Sequence, residues 1–139
     1  MTAAQMVEIH ALCFKTPRPW TVVEFDHYLS DSNCIVLHEG KTGFLIGRLI
    51  AGEAEVLTLA VRPDARRRGV GTHLVTEFIN TLRTNRAEQV FLEVNATNNA
   101  AIALYSAQGF TATGRRPKYY KSPNGDRIDA LILCVDLNT

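Results

Sequence analysis

The densest run of chemically equipped residues is Val61-Arg62-Pro63-Asp64-Ala65-Arg66-Arg67-Arg68-Gly69-Val70-Gly71. An aliphatic run ends there, a proline turn follows, and Arg66-x-x-Gly69-x-Gly71 opens a stretch with helical spacing. Such a segment suits a diphosphate. The free N–H groups of a helix's first turn point outward, and the helix dipole favours negative charge there. Glycines let a backbone approach a ligand with no Cβ in the way. The same residues also fit a glycine-softened turn carrying solvated arginines. Neither G-x-G-x-x-G nor G-x-x-x-x-G-K-[ST] occurs, so the dinucleotide fingerprint and the P-loop lack their key residues.

A second basic cluster is Arg115/Arg116/Lys118/Lys121. The formal net charge of +1 hides this distribution. Residues 1–55 carry 4 basic and 7 acidic groups, and residues 56–139 carry 11 and 7. Two short basic clusters point to anionic partners locally, not to a surface coated by nucleic acid. The three cysteines, Cys13, Cys34 and Cys134, are odd in number and form no C-x-x-C. Reduced thiols in a cytoplasm fit better than a disulfide framework or a metal cluster. His10, His27, His38 and His73 show no ligand spacing and read as surface or packing residues, so no metal is expected.

The elements that must position these residues follow from length and periodicity. A chain of 139 residues fits one domain over residues 1–139, and 46% hydrophobic with 21% charged residues is ordinary globular usage. No apolar run reaches the roughly 18 residues of a membrane helix, and no secretory leader is expected. Met6, Ile9, Leu12 and Cys13 predict a short amphipathic helix. A loop with two prolines spans Thr16 to Trp20, and Thr21-x-x-Glu24 is a capping box for a second helix through Leu29. Cys34–His38, Gly43–Ile50 and Ala54–Val61 read as a β-meander. Val70, Leu74, Val75, Phe78, Ile79 and Leu82 then follow a 3.6-residue period. Gln89–Val94 is a strand. Asn98 is an N-cap for a helix over Asn99–Gln108, closed by Gly109. Two strands, Phe110–Tyr120 and Arg127–Asp136, flank a Ser122-Pro123-Asn124-Gly125 turn. The order ααβββαβαββ predicts mixed α/β architecture around one sheet.

Arg66-x-x-Gly69-x-Gly71 behind the strand Val56–Val61 resembles the acyl-CoA site of the GCN5-related N-acetyltransferases. Leu92-Glu93-Val94…Asn98…Ala101-Ile102-Ala103-Leu104-Tyr105…Gly109-Phe110 is similar to the second mark of that family. More narrowly, the chain resembles the RimI-type ribosomal-protein alanine N-acetyltransferases. That likeness includes Pro19-Trp20 before a helix and the late Tyr119-Tyr120…Gly125-Asp126…Asp129-Ala130 stretch, so it covers nearly the whole chain.

The resemblance implies residue roles. Backbone groups of Leu59, Ala60 and Val61 would receive the pantetheine arm as an added strand. Arg66, Arg67, Arg68, Gly69, Val70, Gly71 and Thr72 would hold the pyrophosphate, and Asn98 the cofactor arm. Glu93 would be the general base that takes a proton from the acceptor ammonium. Its apolar neighbours Leu92 and Val94 would desolvate it, and a structural partner for an arginine is the alternative. Tyr105 would protonate the departing thiolate, or plug the sheet as an aromatic, two compatible jobs. Tyr119 and Tyr120 would line a peptide entrance or form an exposed aromatic hairpin. Trp20 would sit near the acceptor or in the core. Asp129 is a partner for Arg115 or Arg116.

The implied fold is a single-domain acetyltransferase sheet, mostly antiparallel, splayed around Val61 and Val94 to admit acetyl-CoA. Relatives begin with a strand that this sequence is expected to lack, leaving a sheet edge open. The implied reaction is direct transfer from acetyl-CoA to a protein N-terminal α-amine, best an alanine-starting protein of the small ribosomal subunit. A small amine, a lysine side chain and a non-catalytic acyl-CoA sensor are the rivals. No membrane or direct nucleic-acid partner is expected, and the chain is expected to be a monomer or weak dimer in the cytoplasm.

Overall fold

The computed structural model describes residues 1–138. Two helices, α1 (Ala3–Cys13) and α2 (Val22–Ser30), precede a meander of β1 (Cys34–Glu39), β2 (Gly43–Ile50) and β3 (Glu53–Val61). A single 3₁₀ turn, Pro63–Ala65, leads into α3 (Val70–Thr84). β4 (Gln89–Asn95), α4 (Asn99–Ala107), β5 (Thr111–Lys121) and β6 (Arg127–Asp136) complete the order expected from the sequence. Among the described residues no strand precedes α1, and β1 is one edge of the sheet. No helix is long and apolar enough to cross a membrane.

The six strands form one sheet in the order β1-β2-β3-β4-β6-β5. Every pairing is antiparallel except β3 with β4, which runs parallel. That parallel pairing lasts for three residues, Glu53–Glu55 against Gln89–Phe91, after which the two strands part. The fork expected around Val61 and Val94 is therefore present, and its vertex lies at Glu55 and Phe91.

Two apolar cores flank the sheet. On one side Val70, Leu74, Val75, Phe78, Ile79 and Leu82 bury the stripe of α3 against Leu45, Val56, Val90, Leu92 and Leu133. On the other, Met6, Ile9 and Phe25 of α1 and α2 pack on Phe44, Ile46 and Ala60. The buried face of α1 is Met6, Ile9 and His10. Leu12, expected on that face, is 58% exposed, because it turns toward the fork instead.

The register of β2 and β3 slips once: Ile46 opposes Thr58 and Gly47 opposes Val56. Leu57 is the extra residue, a bulge that puts both Leu57 and Thr58 toward α1 and α2. Thr58 there meets His10, which is 1% exposed. His10 Nδ1 accepts the Trp20 backbone N–H at 3.0 Å, so the ring proton sits on Nε2, which donates to Thr58 Oγ1 at 2.9 Å. Burial holds this imidazole neutral, with its pKa lowered to about 4 despite the opposing charge of Glu24. One ring thus ties α1, the proline loop and β3 together.

Candidate active site

The site begins at the end of β3. Arg62 N–H donates to Thr42 O, and hydrogen-bonded pairs alternate along an antiparallel ladder. Ala60 and Thr58 therefore bond β2, while Leu59 and Val61 turn their N–H and C=O groups toward the fork, where β4 has already departed. The Val61 carbonyl is occupied from within the chain: Cys13 Sγ donates to it at 3.2 Å and Arg66 Nε at 3.3 Å.

The following loop is wound in left-handed backbone. Arg67 has φ 64° and Gly69 has φ 78°, a region that disfavours a Cβ. Side chains cap the other three helices: Thr2 and Thr21 through capping boxes, and Asn98 through its Oδ1, which accepts the Ala101 N–H at 3.1 Å. No side chain caps α3. Among the described residues, none of the backbone N–H groups from Arg67 through Thr72 has an acceptor. Six donors aimed from a helix start, with Arg66 and Arg67 beside them, form an anion cradle.

The glycines divide their labour. A Cβ on Gly69 would meet nothing within 4 Å, so its hydrogen keeps open space and a left-handed turn. A Cβ on Gly71 would lie 2.8 Å from Leu104 Cδ1. The close approach expected there for a ligand is used by the protein itself, to seat α3 against α4.

Strand, loop and helix start border a cleft of about 960 Å³. Leu59, Ala60, Val61, Arg66, Arg67, Gly69, Val70, Gly71, Thr72 and Asn98 line it, all of them expected from sequence. Arg68 does not; it is exposed on the outer side of the turn. The opposite wall was not expected: Leu12, Cys13, Phe14, Lys15 and Thr16 from the end of α1, with Asn95, Thr97, Ala101, Leu104 and Ile128. Asn95 Nδ2 donates to the Thr16 carbonyl at 3.2 Å, latching that wall to β4. No sequence signal pointed to this wall, because Leu12 fits the helical spacing of α1 whichever way it faces.

The remaining expected residues lie outside the cleft wall. Tyr105 is 5% exposed and packs edge-on against Phe110, with ring centroids 5.4 Å apart. Its hydroxyl makes no hydrogen bond among the described residues, yet no fully buried side-chain oxygen lacks a partner. The small remaining exposure of Tyr105 thus includes its oxygen, which has a free hydrogen-bonding valence. Burial pushes its pKa up, so the proton stays on at neutral pH. Trp20 stacks on Tyr28 at 4.8 Å and packs against His10 and Phe25, so it serves the α1–α2 core and not the cleft wall.

Glu93 points to the face of β4 that carries α1 and α2, opposite the buried Leu92 and Val94. It is not sealed among apolar groups: its side chain is 21% exposed and Arg116 Nε stands 3.1 Å from Oε1. Glu55 lies on the same face at the fork's vertex, paired with Arg48 at 3.3 Å, and its carboxyl is pushed up by burial. Tyr119 and Tyr120 stand edge-to-face at 5.2 Å, the first 48% exposed. Tyr120 is pushed up to about 12, by burial first and by the charge of Glu93 second. Asp129 chooses Arg115, at 2.7 Å, leaving Arg116 to Glu93. Among the described residues no three His, Cys, Asp or Glu side chains are grouped to hold a metal.

The comparisons with known proteins agree with this geometry. The model of the acetyltransferase (GNAT) family matches residues 3–110. The [ribosomal protein bS18]-alanine N-acetyltransferase of Salmonella typhimurium is 32% identical over 143 residues, covering 99% of this chain and 92% of that protein. The N-alpha-acetyltransferase RimI of Mycobacterium tuberculosis is 31% identical, covering 89% and 82%. Among solved structures, the ribosomal-protein-S18-alanine N-acetyltransferase of Escherichia coli superposes with a TM-score of 0.88 at 29% identity, over 99% of this chain and 88% of that one.

Proposed function

The chain belongs to the acetyltransferase (GNAT) family, and from that premise we propose that it transfers an acetyl group from acetyl-CoA to the α-amine of a protein N-terminus. The favoured acceptor is an alanine-starting protein of the small ribosomal subunit. The observation that carries this reading is the uncapped start of α3, whose six free N–H groups open onto a cleft between splayed strands. A relative named [ribosomal protein bS18]-alanine N-acetyltransferase and another named N-alpha-acetyltransferase support the choice of acceptor.

Bound acetyl-CoA supplies an acyl group activated as a thioester. The chain's own residues do the rest. Arg66, Arg67 and the N–H groups from Arg67 to Thr72 hold the pyrophosphate. Leu59, with both backbone groups free, and the Val61 N–H pair with the pantetheine arm as an added strand. Asn98, although its Oδ1 caps α4, keeps its amide N–H₂ for the same arm. Glu93 takes the proton that the acceptor ammonium must lose before its nitrogen attacks. The new C–N bond forms as the C–S bond breaks, and the Tyr105 hydroxyl gives its proton to the departing sulfur. The second proton that the nitrogen sheds on becoming an amide passes to solvent, from which the phenol is restored. A free α-amine titrates near 7.7–8.0, within reach of a carboxylate base at neutral pH. Tyr119 and Tyr120 border the peptide's path. The enzyme works in the cytoplasm as a monomer or weak dimer, with no nucleic acid or membrane partner.

CoA release with mass-spectrometric product detection tests the proposal, using peptides that differ only in their first residue beside small amines and a lysine peptide. Preferential acetylation of the alanine α-amine is the expected result. Turnover on small amines alone would sink the acceptor assignment, and tight acetyl-CoA binding without turnover would sink catalysis.

A further inference from the structure

The acceptor face of the sheet carries two carboxylates near the fork, Glu55 and Glu93, and each is matched by one arginine. The two pairs are built differently. Arg48 and Glu55 lie opposite one another in the β2–β3 register and are both mostly covered, at 34% and 27% exposure. Arg116 is 52% exposed and reaches Glu93, at 21%, from the solvent side. Its guanidinium makes no side-chain hydrogen bond among the described residues, so the contact with Glu93 is an ion pair alone, and it already lies 5.2 Å from the centroid of the Tyr119 ring.

The backbone beneath Arg116 is fixed. The β5–β6 register skips from Arg116 to Tyr120, and Lys118 takes a left-handed φ of 54° inside that bulge. Asp129 clamps both flanks, accepting from Arg115 with Oδ2 at 2.7 Å and from the Lys118 N–H with Oδ1 at 2.9 Å. The strand thus holds Arg116 over Glu93 while leaving its side chain a second resting place on an aromatic face.

We propose that Arg116 is a displaceable counterion: it neutralises Glu93 while the acceptor site is empty and is exchanged there for the acceptor's ammonium group. This rests on the reading of Glu93 as the base. The exchange conserves charge on a face where a bare Glu93 would add to the charge of Glu55 and raise the cost of an empty site. An exposed ion pair is weak enough to open, and the guanidinium keeps a cation–π contact with Tyr119 when it does. Arg116 is then a specificity-determining residue. Only an acceptor that brings its own positive charge recovers the ion pair that it breaks, so a neutral nucleophile is discriminated against.

The test is steady-state kinetics of the full chain with an alanine-starting peptide. Arg116→Met keeps the stem against Tyr119 and removes the competing cation, so acceptor KM should fall about three- to tenfold, with the change in KM and not in kcat. Arg116→Lys keeps a cation and should stay near the parent KM. In a Glu93→Gln background, peptide binding measured by calorimetry with CoA bound should no longer respond to Arg116→Met. An unchanged or higher acceptor KM in Arg116→Met, or a response that persists in the Glu93→Gln background, would overturn the proposal. Failure of the base reading looks different: Glu93→Gln alone would keep the parent kcat.

Discussion

The two halves of the proposed site, the cleft and the sheet face that carries Glu93, are made of different material. On the proposed cofactor side the working groups are backbone: both groups of Leu59, the Val61 N–H and the N–H groups from Arg67 to Thr72. On the proposed acceptor side they are side chains drawn from distant positions: Glu93 with Arg116, Glu55 with Arg48, Asp129 with Arg115 and Lys118. A backbone site tolerates most side-chain changes and fails when its conformation is forced. A side-chain site fails when one atom is removed, and leaves the other half untouched.

The largest effect should come from the acceptor half. Glu93→Gln keeps the shape and the Arg116 contact but cannot take a proton, so kcat should fall about 10²- to 10⁴-fold, the range for loss of a general base. Acetyl-CoA affinity, read by calorimetry, should stay at the parent value. A parallel loss of acetyl-CoA binding would show that the two halves are not separate.

His10 ties α1 and the proline loop to β3, and acid should expose that tie. Its pKa is about 4 folded against about 6.5 in an unfolded chain. Between those values the unfolded state binds a proton that the folded state refuses. The stability from the neutral ring is therefore complete above pH 6.5, declines as pH falls, and is gone near pH 4. The loss is about 3 kcal/mol, from a shift of roughly 2.5 units at 1.36 kcal/mol each. Urea unfolding of the parent and of His10→Gln across pH 7 to 4 should show a smaller slope in the variant; identical slopes would refute the assignment.

The glycine pair sharpens the cofactor side. Gly71→Val meets Leu104 at 2.8 Å from the first added carbon and should destabilise the fold by about 1–3 kcal/mol through overpacking, as well as weakening acetyl-CoA. Gly69→Ala touches nothing, and its cost is the left-handed backbone, about 1–2 kcal/mol. A thermal melt beside an acetyl-CoA titration separates them. The change at position 71 should lower Tm the more, and the change at position 69 should fall more heavily on affinity.

The same contrast governs what could be read from the sequence. The loop and α3 were legible because they are written in local code: an aliphatic strand, a Pro turn, Arg66-x-x-Gly69-x-Gly71, then a 3.6-residue stripe, whereas the fork was expected only from the family resemblance. Thr21 and Glu24 declared α2 in the same way, through a capping box that the structure contains. The far wall was hidden because Leu12 satisfies helical spacing whether it faces the core or the cleft. The partner of Glu93 was hidden for another reason. Arg115 and Arg116 differ by one position, and which one meets Asp129 depends on a bulge whose extra residues, Pro117 to Tyr119, have no local signature. The packing of Gly71 against Leu104 was hidden because a missing Cβ looks alike in sequence whether a ligand or a side chain fills the space.

Asp129 offers the smallest and most discriminating test. Its carboxyl is held below the usual range, first by the Lys118 N–H and then by Arg115, so it is charged at neutral pH. Asp129→Asn keeps an oxygen for the Lys118 N–H and loses only the charge facing Arg115, an exposed pair. Asp129→Ala removes both clamps and frees the bulge that carries Arg116 and Tyr119. Acceptor KM should change less than about twofold in the first variant and about two- to fivefold in the second, because surface contacts of this kind are individually weak. Acetyl-CoA KM should not move in either, since no residue of β5 lines the cleft. A shift in acetyl-CoA KM would mean that the hairpin helps to hold the fork open, and the division between a backbone half and a side-chain half would have to be redrawn through β6, where Ile128 already touches the cleft.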